Sequence, residues 1–168
     1  MPEQLIPPEE CPCESQQESV PGLTLETMLR RLPRTLRQLR FHGIGKRPVR
    51  IAEQRDLEDL IRAMLPLFCN EWREHCRNPE YSPMPRTDYL LLDIDLALTS
   101  KYVARGGLQN ELAHQIRCDA SYYEQEDLCS ELVVFIYDPQ GQLRTPEILE
   151  SICGLPNSDV VIRCVVGK

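Results

Sequence analysis

Glu131 to Gly141 reads ELVVFIYDPQG. From Leu132 to Tyr137 the run is apolar or aromatic without a break. Such a segment has no polar face to offer water, so it predicts a strand covered on both sides, as at the centre of a parallel sheet. Pro139 and Gly141 end it in a turn. A strand covered on both faces requires layers above and below it, and that requirement points to helices packed on a sheet.

The neighbouring segments supply those layers. Upstream, Leu108, Leu112, Ile116 and Tyr123 recur at helical spacing over residues 108–125. Downstream, residues 146–153 predict a short helix, and Asp159 to Val166, DVVIRCVV, a β-branched strand. Earlier, Tyr89 to Thr99 reads YLLLDIDLALT and predicts a hairpin, with Asp93 in or near its turn. Leu57, Leu60, Ile61, Met64, Phe68 and Trp72 form one apolar stripe. It predicts a helix from near Asp56 to before Pro79, kinked at Pro66, with acids in its first turn suited to the helix dipole. The predicted order is α-ββ-α-β-α-β, an α/β fold with a mixed central sheet flanked by helices.

Three stretches of different composition follow one another. Residues 1–22 are acidic and proline-rich, with five acids and no base, and are expected to be disordered. Residues 23–50 carry eight bases and one acid, Glu26. Leu25, Met28, Leu29, Leu32, Leu36 and Leu39 give this stretch one apolar face, so it reads as a basic amphipathic helical extension. Thr24 is a candidate N-cap with Thr27, and Pro33 predicts a kink or two short helices. Residues 51–168 form the α/β domain.

The net charge of −7 argues against a general nucleic-acid binder, but it conceals the basic stripe Arg30, Arg34, Arg37, Arg40, Lys46, Arg47 and Arg50. That stripe reads either as phosphate contacts or as a solvated helix face. The eight cysteines lie mostly in apolar segments; only Cys11 and Cys13 are close, at a spacing shorter than a zinc knuckle. They read as small buried hydrophobes. No stretch approaches the ~18 uninterrupted apolar residues of a membrane span. The start lacks the features of a secretory signal, so a cytoplasmic, prokaryotic setting without membrane contact is expected.

No phosphate-binding P-loop and no nucleophile elbow is present. Asp88, Asp93 and Asp95 cluster around the predicted hairpin. Converging carboxylates can hold Mg2+, a hard cation that prefers oxygen ligands, but a turn aspartate and a solvent-facing one are the competing explanation.

One succession of segments carries a family resemblance: Asp56-Leu57-Glu58-Asp59-Leu60, then Arg86-Thr87-Asp88-Tyr89-Leu90-Leu91, then Phe135-Ile136-Tyr137-Asp138-Pro139 before Thr145-Pro146. Over roughly residues 50–166 it resembles a prokaryotic, defence-associated group within the PD-(D/E)XK, or restriction-endonuclease-like, nuclease superfamily. The resemblance implies a first aspartate on the second core strand and an acid and a lysine two residues apart on the third. Asp88 matches the first position. Aligning Asp95 to the acid puts Ala97 at the lysine, and shifting by two puts Ala97 at the acid and Thr99 at the lysine, so the lysine is expected to be missing. Lys101 stands four residues beyond Ala97, ~13 Å along an extended strand, as a displaced candidate.

The resemblance leaves three functions open. One is a catalytically degenerate nuclease-like module that binds DNA or RNA, or serves as an accessory subunit beside a protein partner or in a homodimer. Another is an active Mg2+-dependent endonuclease with Asp88 and Asp95 as metal ligands and Lys101 as the lysine. The third is a protein-interaction module without nucleic acid.

Overall fold

A computed structural model of the chain describes residues 24–40, 49–106, 109–144 and 159–168. The acidic tail, Lys46, Arg47 and the short helix predicted over 146–153 lie outside these residues.

Five strands form one mixed sheet in the order β1-β2-β3-β4-β5: β1 Trp72–Arg77, β2 Arg86–Leu91, β3 Leu96–Tyr102, β4 Glu131–Tyr137 and β5 Val161–Gly167. The first three are antiparallel, and β3, β4 and β5 are parallel. Helices α1 (Leu25–Arg40) and α2 (Gln54–Met64) cover one face, and α3 (Gln109–Glu126) covers the other. The three-layer arrangement is the predicted one, and β4 lies between parallel neighbours with Leu132 to Tyr137 buried, as its continuous apolar run requires.

Side-chain alternation divides the core in two. Tyr89, Leu91, Leu96, Leu98, Val133, Phe135 and Tyr137 pack against α1 and α2. Leu90, Ala97, Leu132, Val134, Ile136 and Ile162 pack against Ala113, Ile116, Ala120 and Tyr123 of α3.

α1 is an integral layer of this core. Its Met28, Leu29, Leu32 and Leu36 are buried against the sheet, each contributing about 1.5–3 kcal/mol of apolar burial. Thr24 caps it as expected: its Oγ1 accepts the Thr27 amide at 3.2 Å. The helix runs through Pro33 as one element, because its buried stripe continues on both sides of the ring. Pro33 also meets the sheet closely. A methyl group placed on Gly167 of β5 would come within 2.7 Å of Pro33 Cγ and 3.1 Å of the Phe135 ring.

Two elements differ from the sequence expectation. The helix predicted to run from near Asp56 to Pro79 ends at Met64 and passes into a single 3-10 turn, Leu65–Leu67. Pro66 lacks the amide that would continue the ladder, and Trp72–Arg77 becomes an edge strand paired with β2. The hairpin turn covers residues 92–95, so β3 begins at Leu96 and Asp95 leaves the strand.

Candidate functional site

The alternation of three strands brings distant polar residues onto one face. In the β1–β2 ladder Arg77 lies opposite Arg86, and His75 opposite Asp88. His75 and Arg77 of β1, Asp88 of β2, and Thr99 and Lys101 of β3 all lie on the α3 side. From above, Asp119 and Tyr123 of α3 reach down to meet them.

The result is a buried ionic network. Arg77 Nε donates to Asp88 Oδ2 at 2.6 Å, and its Nη2 donates to Asp119 Oδ1. Lys101 pairs with the second oxygen of Asp119 and donates to the Tyr81 hydroxyl at 2.8 Å. Tyr81 donates in turn to Asp119. The Tyr123 hydroxyl donates to Asp88 Oδ2 at 2.9 Å. The side chains of Lys101, Asp88 and Asp119 are at most 2% exposed, and that of Arg77 is 8% exposed. Two carboxylates thus bond directly to two cations, with the buried side chains of Arg86 and Glu58 close by.

Titration directions follow from this enclosure. Burial alone would raise the Asp119 carboxyl, but Lys101 and Arg77 outweigh it and hold the group below the usual carboxylate range. Burial pushes Lys101 down to about 8, against the pull of Asp119. Both groups are therefore charged at neutral pH. Tyr123 is held protonated by burial and by Asp88.

A cleft of about 590 Å³ opens beside the network, lined among others by Gln54, Glu58, Met84, Arg86, Lys101 and Gln115. Glu58 is buried, and that burial raises its carboxyl above the ordinary value despite the Gln54 hydrogen bond. Arg86 is anchored through Nη2 to the Ser100 carbonyl at 2.7 Å, while its buried Nε has no partner among the described residues.

Lys101, the displaced candidate, lies in the same buried network as Asp88, linked through Asp119 and Arg77. Because the turn extends through Asp95, β3 begins at Leu96 and carries Ala97, Thr99 and Lys101 on the α3 side. The buried hydroxyl of Thr99 has no partner among the described residues. The Asp95 backbone has φ 49°, and its carboxylate accepts the Ser130 amide at 3.2 Å. It ties the hairpin to the start of β4 and does not join Asp88.

The family model described as REase_DpnII-MboI matches residues 23–166. The chain belongs to the DpnII-MboI restriction endonuclease family. No curated protein and no solved structure matches it. The matched range includes α1, consistent with that helix sharing the core.

Enzymes of this family generally use Mg2+. The residues present do not fit such an ion. One oxygen of Asp88 is already taken by the Arg77 guanidinium and the Tyr123 hydroxyl. Thr99, on the same face of β3, offers a hydroxyl and no charge, and no group of three or more potential ligands forms among the described residues.

The basic stripe lies elsewhere. α1 packs against β5, at the far edge of the sheet and on the opposite face from the network. Arg34, Arg37 and Arg50 are exposed, while Arg30 is paired with Glu26 at 2.7 Å. No helix among the described residues is long and apolar enough to cross a membrane.

Asp119, Arg77, Tyr81 and Tyr123 were not recognised as site residues from sequence. Asp119 had a signal: it interrupts the apolar stripe of α3 between Ile116 and Tyr123. Arg77 had none, because its strand carries no burial pattern distinct from a polar helix end.

Proposed function

We propose that this chain is a non-cleaving, nuclease-like module that binds DNA, acting as a nucleic-acid-binding or accessory subunit in prokaryotic defence beside a partner protein or a second copy. The observation that carries the reading is Thr99. With Lys101 taken as the lysine, the resemblance implies an acid two residues earlier, at Thr99, and a hydroxyl cannot supply its charge. Removing one preorganised electrostatic group of this kind costs on the order of 10²–10³ in rate, and here the first acid, Asp88, is also committed to Arg77. In this reading Arg34, Arg37 and Arg50 supply phosphate contacts.

The test incubates the full chain with plasmid, single-stranded DNA and RNA in Mg2+ or Mn2+, and measures binding across a salt series. The expected outcome is no cleavage, with DNA binding that weakens steeply with salt. Reversing Arg34 and Arg37 to glutamate should reduce the slope of log K against log salt by ~0.9 for each phosphate that is no longer neutralised. Cleavage abolished by Asp88→Ala overturns the reading.

One observation favours an active enzyme instead. Asp119 presents a carboxylate to Lys101 from α3 and could serve as a relocated acid. That reading requires cleavage to vanish in Asp119→Asn as well as in Asp88→Ala.

A further inference from the structure

We propose that Arg77 is the resident cation of this site, occupying the place of a divalent metal ion and excluding it. The inference rests on the non-cleaving reading but concerns a different property, the affinity of the site for metal.

Arg77 sits on the edge strand β1, yet its side chain turns under α3, where its guanidinium is enclosed on several sides. Nε meets Asp88 Oδ2 at 2.6 Å and Nη2 meets Asp119 Oδ1, so one planar group joins carboxylates from a strand and a helix. The Tyr122 ring centroid lies 5.0 Å from its central carbon and that of Tyr123 5.7 Å, distances at which an aromatic ring attracts a cation. Tyr122 is itself held, because its hydroxyl shares a 2.7 Å hydrogen bond with His75 Nε2. These surroundings suit a flat, weakly hydrated guanidinium. They do not suit a spherical ion that demands an octahedron of oxygens and retains water.

Charge balance argues the same way. Asp88 and Asp119 are matched by Arg77 and Lys101. Adding a divalent ion would leave two uncompensated positive charges among side chains that are nearly fully buried, a heavy desolvation cost. An arginine guanidinium is not deprotonated in proteins, so Arg77 cannot make way by losing a proton. Deleting the guanidinium would leave two carboxylates facing one lysine, together with the space it filled. That is the composition of a cation site.

The experiment titrates Mn2+ into the full-length protein, reading bound metal by electron paramagnetic resonance and stability by thermal melting in Mn2+ and in EDTA. Wild type is expected to show no Asp88-dependent Mn2+ binding at millimolar metal and the same melting temperature in both conditions. Arg77→Ala is expected to gain at least a tenfold higher affinity for Mn2+ and to melt higher in Mn2+ than in EDTA, with both gains lost in Arg77→Ala combined with Asp88→Asn. Mn2+ binding by wild type that Asp88→Asn abolishes overturns the proposal, as does a folded Arg77→Ala that binds no metal. If Arg77→Ala does not fold, the wild-type titration decides: binding abolished by Asp88→Asn overturns the proposal, and its absence supports it. The two readings fail separately. Metal binding without cleavage sinks this inference alone, whereas Asp88-dependent cleavage in EDTA sinks the non-cleaving reading alone.

Discussion

Lys101 on β3 and Asp119 on α3 form an ion pair with both side chains at most 2% exposed. The pair fastens α3 to the sheet together with the Arg77–Asp119 and Tyr123–Asp88 contacts. Breaking a buried pair leaves a charge without a partner or solvent, a loss of about 3–5 kcal/mol. Lys101→Met and Asp119→Asn should each destabilise by roughly that amount in urea unfolding. Asp119→Asn should be the worse of the two, because Asp119 also receives Arg77 and Tyr81. The double variant should lose clearly less than the sum, the mark of direct coupling.

Stability should fall on the acid side with a component that belongs to Asp119. Its folded-state value lies below that of the unfolded chain. The folded protein therefore releases this proton more readily than the unfolded one. The resulting stabilisation is complete above the usual carboxylate range, near pH 4, and is lost as pH falls through the lowered value. Urea midpoints measured from pH 6 to pH 2.5 should decline steeply for wild type. Asp119→Asn, less stable at pH 6, should decline less steeply. Equal slopes would remove Asp119 from the account.

The contact between α1 and β5 should be intolerant of one methyl group. Gly167→Ala would drive its Cβ to 2.7 Å from Pro33 Cγ, and overpacking of this kind costs about 1–3 kcal/mol. Pro33→Ala removes the obstructing ring atom and should recover most of the loss in the double variant. Thermal melting of the three proteins checks this; additive effects would mean that the two positions do not meet.

Asp95 should behave as a turn residue. Its φ of 49° is left-handed, a conformation asparagine tolerates and a β-branched residue does not. Asp95→Asn keeps an acceptor for the Ser130 amide and should change neither melting nor DNA binding by a measurable amount. Asp95→Val should cost ~1–2 kcal/mol. A loss of DNA binding in folded Asp95→Asn would return Asp95 to the functional site.

Elements whose pattern repeats locally were legible in the sequence. α3 and the apolar face of α1 follow from a 3.6-residue period, and the unbroken run Leu132 to Tyr137 announced a strand covered on both faces. The order of these segments around Asp88 and the FIYDP turn was enough to suggest the family. Other features exist only once the layers have packed. Trp72 falls on the apolar period of α2, so only its pairing with Leu91 reveals β1. The start of β3 depends on a turn that ends at Asp95, and that turn takes Asp95 off the strand. The network joins residues separated by 11 to 42 positions, Arg77 with Asp88 and Arg77 with Asp119. Periodicity reports which face of an element is dry. It carries no information about which charge on one dry face will find its counter-charge on another, because that match is made only when the layers close.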